Sequence, residues 1–370
     1  MHARWLYASL EGQTFVNQLM EPVTHLLTGA CLGRSGFNRK TAYATLAMTL
    51  AAEAPDLDIA WGFRGPLVGF EHHRGFTHTF LAAPLIALVV TLFCWGFHRL
   101  RRKQPPIPPR WLLLWCFALL ADLSHLLLDY TNNYGIRPFA PFQPHWYSWD
   151  IVFIFEPVMF VMLLGGLVIP ALLGLVDREI SSRKTVFRGR GWAIAALVGV
   201  AALYTLRGTE HARAIHLLQQ TSFDRPVVRV AAEPYPIDPF HWQGIVETDD
   251  AYHFADVNTR SDAVDIDEAA GTIYKPPVTP FVVAAKRSGL GRVYLDWSQF
   301  PLVEDIGPGD PPDMPQDANQ HLEQVNFHDM RFGYTNWFGI HQNRKPLSGS
   351  VFVAPDGQIE ATYMDGQPQN

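Results

Sequence analysis

Residues 71–97 read EHHRGFTHTFLAAPLIALVVTLFCWGF: three histidines, an arginine and a glutamate set directly against eighteen residues without a charged side chain. A hydrocarbon core of about 30 Å takes roughly 20 helical residues, so 80–97 has the length of a membrane span. An ionised side chain at bilayer depth costs about 2.5–3.5 kcal/mol even on a lenient scale, and such groups normally pair and mark a functional pathway. What else sits at the depth of those histidines therefore bears on both fold and function.

Three further apolar runs follow: WLLLWCFALLADLSHLLLDY (111–130), IVFIFEPVMFVMLLGGLVIPALLGLV (151–176) and the shorter WAIAALVGVAALYTL (192–206). Upstream, VTHLLTGACLG (23–33) and TAYATLAMTLAAEA (41–54) are too short to cross twice and suit a helical hairpin tucked against the spans. The opening MHARWLYASLEGQTF lacks the apolar core of a signal peptide, so insertion is expected to rest on the spans. The expected fold is a mainly α-helical membrane domain of four to six helical segments over 1–207, followed by a soluble, mostly antiparallel β domain over 208–370.

Charge separates the same two parts. From residue 208 onward 23 acidic residues face 11 basic ones, a balance of −12, and the first 207 residues carry +6. An acidic C-terminal part argues against nucleic acid as a partner, because phosphate contacts need the opposite sign. The connections HRLRRKQPPIPPR (98–110) and DREISSRKTVFRGR (177–190) hold most of the positive charge, which places both in the cytoplasm. The start of the first span, the end of the second and the C-terminal domain then face outward.

Five pieces converge on that outer face: His25, EAPDLD (53–58), HHRGFTH (72–78), DLSHLLLD (122–129) and the loop YTNNYGIRPFAPFQPHWYSWD (130–150). Asp122, His125 and Asp129 are spaced three and four apart and share one helical stripe. His and Asp at i and i+4 are what a helix offers to hold one ion between two turns, or to form a hydrogen-bonded pair in a bundle interior. In HHRGFTH, His73 and His78 converge only if the chain bends, and Gly75 supplies the freedom. Thr77 is placed to cap the following span. Asp56 and Asp58 stand two apart after a helix-ending proline and repel unless a cation lies between them or one stays protonated. Cys31, Cys94 and Cys116 all lie in apolar segments, so a metal would take nitrogen and oxygen ligands, which suits zinc and also manganese or iron.

In this order, a His in an apolar helix, PDLD, HHRGFTHT before a span and LSHLLLDYTNNYGIRPFAPF, the sequence resembles the bacterial inner-membrane metal-dependent hydrolase family, YdjM-like proteins. The likeness covers about residues 20–160, and HRGFTH is its most specific part. His25, Asp56, Asp58, His73, Arg74, His78, His125 and Asp129 occupy the motif places. A looser likeness, His-x3-Asp on a helix with other ligands from separate helices, is to zinc-dependent phospholipase C.

The resemblance implies one to three divalent cations, with zinc first, on His25, Asp58, His73, His78, His125 and Asp129, and Asp56 as a ligand or directly behind one. A cation-activated water would attack a phosphoryl or acyl centre. Arg74 would stabilise negative charge, and Glu53, Glu71 or Asp150 would serve as general base. A site at the outer headgroup level favours a lipid or lipid-linked phosphoester in the bacterial inner membrane. A metal or proton transporter, or a structural metal site in an envelope scaffold, are the rival readings.

Beyond 208, VVRVAAEPYP, GIVETDDAYHFADV, TPFVVAAK, GRVYLDWSQF, MRFGYTNWF and SGSVFVAPDGQIEATYMDG read as strands, the last as a hairpin about PDG. Trp146, Tyr147 and Trp149 read as an interfacial aromatic belt or as the lining of a substrate entrance.

Overall fold

The computed structural model describes residues 22–180, 189–266, 271–313, 321–333 and 347–369. The opening segment MHARWLYASLEGQTF, most of the second basic connection and part of MRFGYTNWF fall outside them. The described residues divide into two compact units, the first made of residues up to Asp58, Arg74–His211 and Pro234–Pro239, the second of Ile59–His73, Ala212–Glu233 and residues from Phe240 onward.

The first unit is helical. Helix α1 (22–34) turns at Gly36, whose φ of 145° only glycine adopts readily, and returns as α2 (Ala44–Ala51). The two lie close enough that a Cβ on Gly29 would stand 2.3 Å from the Met48 carbonyl oxygen. Small residues permit such backbone approach between helices in a bilayer, where burying apolar side chains against one another offers little advantage over lipid. The expected hairpin is therefore present. Pro55 cannot donate a helical hydrogen bond, α2 ends, and the chain goes on as a 3-10 helix, Ala54–Arg64.

Among the described residues, four helices are long and apolar enough to cross a membrane: α4 (Ala83–Leu100), α5 (Trp111–Thr131), the Pro157–Leu175 part of α6 (Pro157–Ile180), and α7 (Arg190–Gln220). The short helix α3 (Pro66–His72) precedes them and belongs to the second unit. Alanines of α2 (Ala44, Ala47, Ala51) meet Ala87, Val90 and Cys94 of α4 and Leu114, Ala118 and Ala121 of α5 in one core. Cys31 of α1 packs with Met159 and Leu163 of α6 and Ala193 and Ala196 of α7 in a second. Helix α1 thereby has one face toward α2 and another toward α6 and α7. Span α6 starts later than the apolar run does, because Pro157 takes the first helical position and Glu156 accepts a hydrogen bond from the Val158 amide (3.2 Å).

The described residues of the second unit form two five-stranded sheets. The first runs β1 (Val227–Pro234), β2 (His241–Thr248), β3 (Ala251–Asn258) and β4 (Ala263–Ile266), with β5 (Thr272–Tyr274) also on β3; the strands pairing with β3 do so antiparallel. Ala214 and Leu218 at the end of α7 pack against Trp242, Val246 and Val257 of this sheet. The second sheet is antiparallel throughout, in the order β10 (Gln367–Pro368), β9 (Ile359–Met364), β8 (Gly349–Val353), β7 (Glu323–Asp329) and β6 (Pro301–Pro308). Strands β8 and β9 form the expected hairpin, closed at Gly357 with φ 87°.

Two expected strands are helices, and the described start of a third, Met330–Phe332 of MRFGYTNWF, is a 3-10 turn. TPFVVAAK forms α8 (Pro280–Arg287) and GRVYLDW the body of α9 (Gly289–Trp297). Thr279 accepts from the Val282 amide with proline at the first helical position, and Ser288 accepts from the Gly291 amide. These capping residues outweigh the strand preference of the valines and aromatics behind them.

Candidate metal centre

The cluster is assembled at the end of the bundle where α5 finishes and α4 begins. Four donor atoms, one each from Asp56, His78, His125 and Asp129, lie within 4.8 Å of one another. His125 and Asp129 come from adjacent turns of α5, Asp56 from the chain stopped by Pro55, and His78 from the 3-10 turn Phe76–His78. The turn follows a sharp bend, with Arg74 at φ 51° and Gly75 in a conformation outside helix and sheet. The anticipated bend is there, and it directs His78 into a fully buried position. The N-cap position of α4 is Ala82, with no side-chain cap, and in the turn before it the Thr79 hydroxyl accepts from the Ala82 amide at 3.1 Å. Thr77 instead donates to Asp58 Oδ2 at 3.2 Å.

The hydrogen bonds behind the two imidazoles decide which nitrogens face inward. His125 Nδ1 lies 2.8 Å from the Ala52 carbonyl oxygen, which only accepts, so this nitrogen carries the hydrogen. Ala52 has that carbonyl to spare because Asp56 N bonds instead to Glu53 O where α2 ends. His78 Nδ1 lies 3.2 Å from Asp58 Oδ2 and carries its hydrogen likewise. In the neutral imidazoles both Nε2 atoms thus present lone pairs, and they stand 3.0 Å apart. Asp56 Oδ1 is 3.3 Å from His78 Nε2 and 3.5 Å from His125 Nε2; Asp129 Oδ2 is 3.3 Å from each.

Four acceptors facing one another need protons or a cation between them. Donors at about 2.0–2.1 Å around a tetrahedral zinc ion stand about 3.3–3.4 Å from one another. Five of the six separations span 3.0 to 3.5 Å and all lie within 4.8 Å, so the residues can hold such an ion.

Asp129 is also held from behind. Its Oδ1 lies 3.2 Å from His25 Nε2 and 3.1 Å from an Arg74 guanidinium nitrogen. Arg74 is fully buried: its other terminal nitrogen donates to Asn132 Oδ1 (2.9 Å) and the Gly135 carbonyl (3.1 Å), its backbone amide donates to Asp58 Oδ2 (2.8 Å), and its guanidinium lies over the Tyr134 ring. The NNYG turn after α5 is thus the cradle of Arg74. Sequence reading passed over Asn132; an Asn directly after a ligand-bearing helix and before Tyr-Gly was its signal. A cavity of about 30 Å³, room for one water, lies against His25, Asp129, Asn132, Glu156 and Tyr204.

His73 ends α3 in the second unit and is not among the four convergent residues. Glu53 and Asp150 are half-buried and also outside the four; Glu71 is exposed on α3. Asp122 is buried one turn ahead of His125, with no hydrogen-bond partner for either carboxylate oxygen among the described residues. A buried pair missed entirely is Glu156–Arg207, 2.7 Å apart, in which Arg207 also donates to the Tyr235 carbonyl.

Burial disfavours the charged form of His78, but the carboxylates of Asp129, Asp56 and Asp58 outweigh it and hold its pKa well above the usual 6.5. Burial likewise works against the Asp56 carboxylate, and His125, His78 and His25 overcome it to hold its pKa below the usual 3.8.

Four apolar helices and a buried His and Asp cluster at one end of them define a multi-pass membrane protein with a candidate metal centre. The chain belongs to the YdjM inner membrane protein family, whose pattern matches residues 20–214. It is also 28% identical over 158 residues to the uncharacterized protein YfhP of Bacillus subtilis (strain 168), a match covering 40% of this chain. The match spans 46% of that relative's length, less than half of it. No solved structure matches the chain significantly.

Proposed function

We propose that this protein is a membrane-embedded metal-dependent hydrolase, cleaving a phosphoester of a lipid or lipid-linked substrate at the extracytoplasmic face. The observation that carries the reading is the set of four mutually facing acceptors, two imidazole nitrogens and two carboxylate oxygens, with separations suited to one divalent cation. Zinc suits this set, and manganese or iron as well. When bound, the cation would supply Lewis acidity at a phosphoryl or acyl oxygen and acidify a water beside it.

The chain's own side chains do the rest. The Ala52 carbonyl and Asp58 orient the imidazoles of His125 and His78, and Arg74 and His25 hold Asp129 so that its second oxygen faces the cluster. Asp56 forms the open side: its side chain is 12% exposed, whereas those of His78, His125 and Asp129 are fully covered. Substrate would approach there. Asp56 Oδ2, itself buried and without a hydrogen-bond partner among the described residues, would accept a proton from a water admitted to the cluster. The extracytoplasmic assignment rests on the basic connection 98–110, which joins α4 to α5 at the end of the bundle away from the cluster.

One observation favours a second reading. Four protein donors equal the number that closes a structural zinc site, whereas catalytic sites keep a position open. Metal analysis of detergent-purified protein, followed by water-proton relaxation of the manganese-loaded form, separates the two. Near-stoichiometric metal, lost in Asp129→Ala, with a rapidly exchanging coordinated water and metal-dependent phosphoester cleavage, is the expected result. Bound metal without exchangeable water would favour the structural site, and absence of metal under chelator-free purification would overturn both.

A further inference from the structure

We propose that Phe76, Phe80, Phe139 and Phe142 form an apolar ledge beside the metal centre that docks the acyl chains of a bilayer lipid. All four rings are exposed, Phe142 to 85%. They project from the two segments that build the site. Phe76 lies between Arg74 and the buried His78, and Phe139 and Phe142 follow the NNYG cradle on the loop after α5.

The two segments are joined at the ledge. The Phe80 amide donates to the Pro138 carbonyl at 2.9 Å, and the Phe80 and Phe139 rings meet edge to face with centroids 5.4 Å apart. Phe80 and Leu81, also exposed, lead directly into the outward face of α4, where Leu85, Leu88, Val89, Leu92 and Phe93 are exposed in turn. That face belongs to a candidate membrane span, so the exposed apolar surface continues from α4 to the segment that carries His78.

The chemistry narrows the occupant. Tyr and Trp suit the membrane interface because each carries a polar tip; phenylalanine has none and favours hydrocarbon. Phe80 stands three residues before α4 begins and opens the apolar run 80–97, which keeps it near the end of the acyl region. A lipid whose chains lie on these rings would bring its headgroup phosphate toward Asp56. The acyl-chain contact stands on the exposed rings and their continuity with α4; that the docked lipid is the substrate rests on the hydrolase reading.

The test uses the full chain in lipid nanodiscs of phosphatidylethanolamine and phosphatidylglycerol. A nitroxide is placed at Phe142→Cys in a Cys116→Ser background, since Cys31 and Cys94 are buried and Cys116 is exposed. Collision with dissolved oxygen exceeding collision with a water-soluble nickel chelate is the expected result. In parallel, a phosphatidylethanolamine with a photoactivatable acyl chain should crosslink to 76–80 and 139–142. Phe80→Ser with Phe139→Ser should cut that yield about tenfold while metal content stays unchanged. A water-like label without crosslinks, or a label shielded from both probes by a second copy or another part of the chain, would overturn the ledge. Crosslinks on the ledge without metal or cleavage would leave it standing and sink the hydrolase reading instead.

Discussion

Asp129 is the residue on which the centre turns, because one oxygen faces the cluster and the other is held by Arg74 and His25. Replacing a residue that faces the cluster and replacing one behind it should therefore differ in kind. Asp129→Ala and His78→Ala are expected to abolish stoichiometric metal binding, measured by elemental mass spectrometry. Asp58→Asn keeps the ligands but weakens the grip on His78 Nδ1, and should lower metal affinity about 10- to 100-fold by competition with a chelating dye. The centre also carries a pH signature. The raised pKa of His78 stabilises the metal-free fold fully below 6.5, and that contribution is lost as pH rises through the higher folded value. The depressed pKa of Asp56 acts above 3.8 and is lost as pH falls through its lower folded value. Metal-stripped protein should thus lose thermal stability as pH is raised from 6.5 into the alkaline range, and added zinc should restore it. A flat profile in that range would count against the His78 pairing.

Between elements, the site depends on contacts that carry no chemistry of their own. Gly29 lets α1 approach the Met48 and Ala52 region of α2, and Ala52 supplies the carbonyl that orients His125. In Gly29→Ala the new Cβ would meet Met48 O at 2.3 Å and Ala52 Cβ at 2.8 Å. A loss of about 1–3 kcal/mol in stability is expected, together with weaker metal binding. Thermal unfolding and metal titration of the same sample check both. Glu156 and Arg207 tie the start of α6 to the middle of α7 by a fully buried ion pair. Glu156→Ala leaves the guanidinium buried with an uncompensated charge and should cost about 3–5 kcal/mol, whereas Glu156→Gln, which keeps a hydrogen-bond acceptor, should cost less. Equal losses in the two variants would show that charge neutralisation governs the contact.

For the whole molecule, the Lys and Arg residues of the short connections 98–110 and 177–190 set the expected orientation. Cysteine accessibility in intact spheroplasts of an expressing bacterium checks it. Ser261→Cys, on an exposed turn of the second unit, should react with an impermeant maleimide from outside; Lys103→Cys, in the α4–α5 connection, should react only after lysis. The reverse pattern would move the metal centre to the cytoplasmic face and with it the class of substrate it meets.

Length and apolarity announced the four membrane-capable helices in the sequence, because a helix in hydrocarbon must satisfy its backbone internally and this demand is local. The stripe of His125 and Asp129, the bend at Gly75 and the hairpin at Pro355, Asp356 and Gly357 were legible for the same reason, each being a matter of a few neighbouring residues. The two misread strands were local as well: the caps Thr279 and Ser288 were visible but were outweighed by valines and aromatics. Only the tertiary structure decided which of the many His and Asp residues meet. Separating Asp56, whose oxygen enters the cluster, from Asp58 two residues later, whose oxygen braces His78, takes the relative placement of α2, α5 and the 74–78 turn to within an ångström. Asn132, Arg207 and Glu156 were illegible because the buried partners that hold them are brought by segments distant in the chain, and polar groups removed from water find those partners by folding, not by spacing.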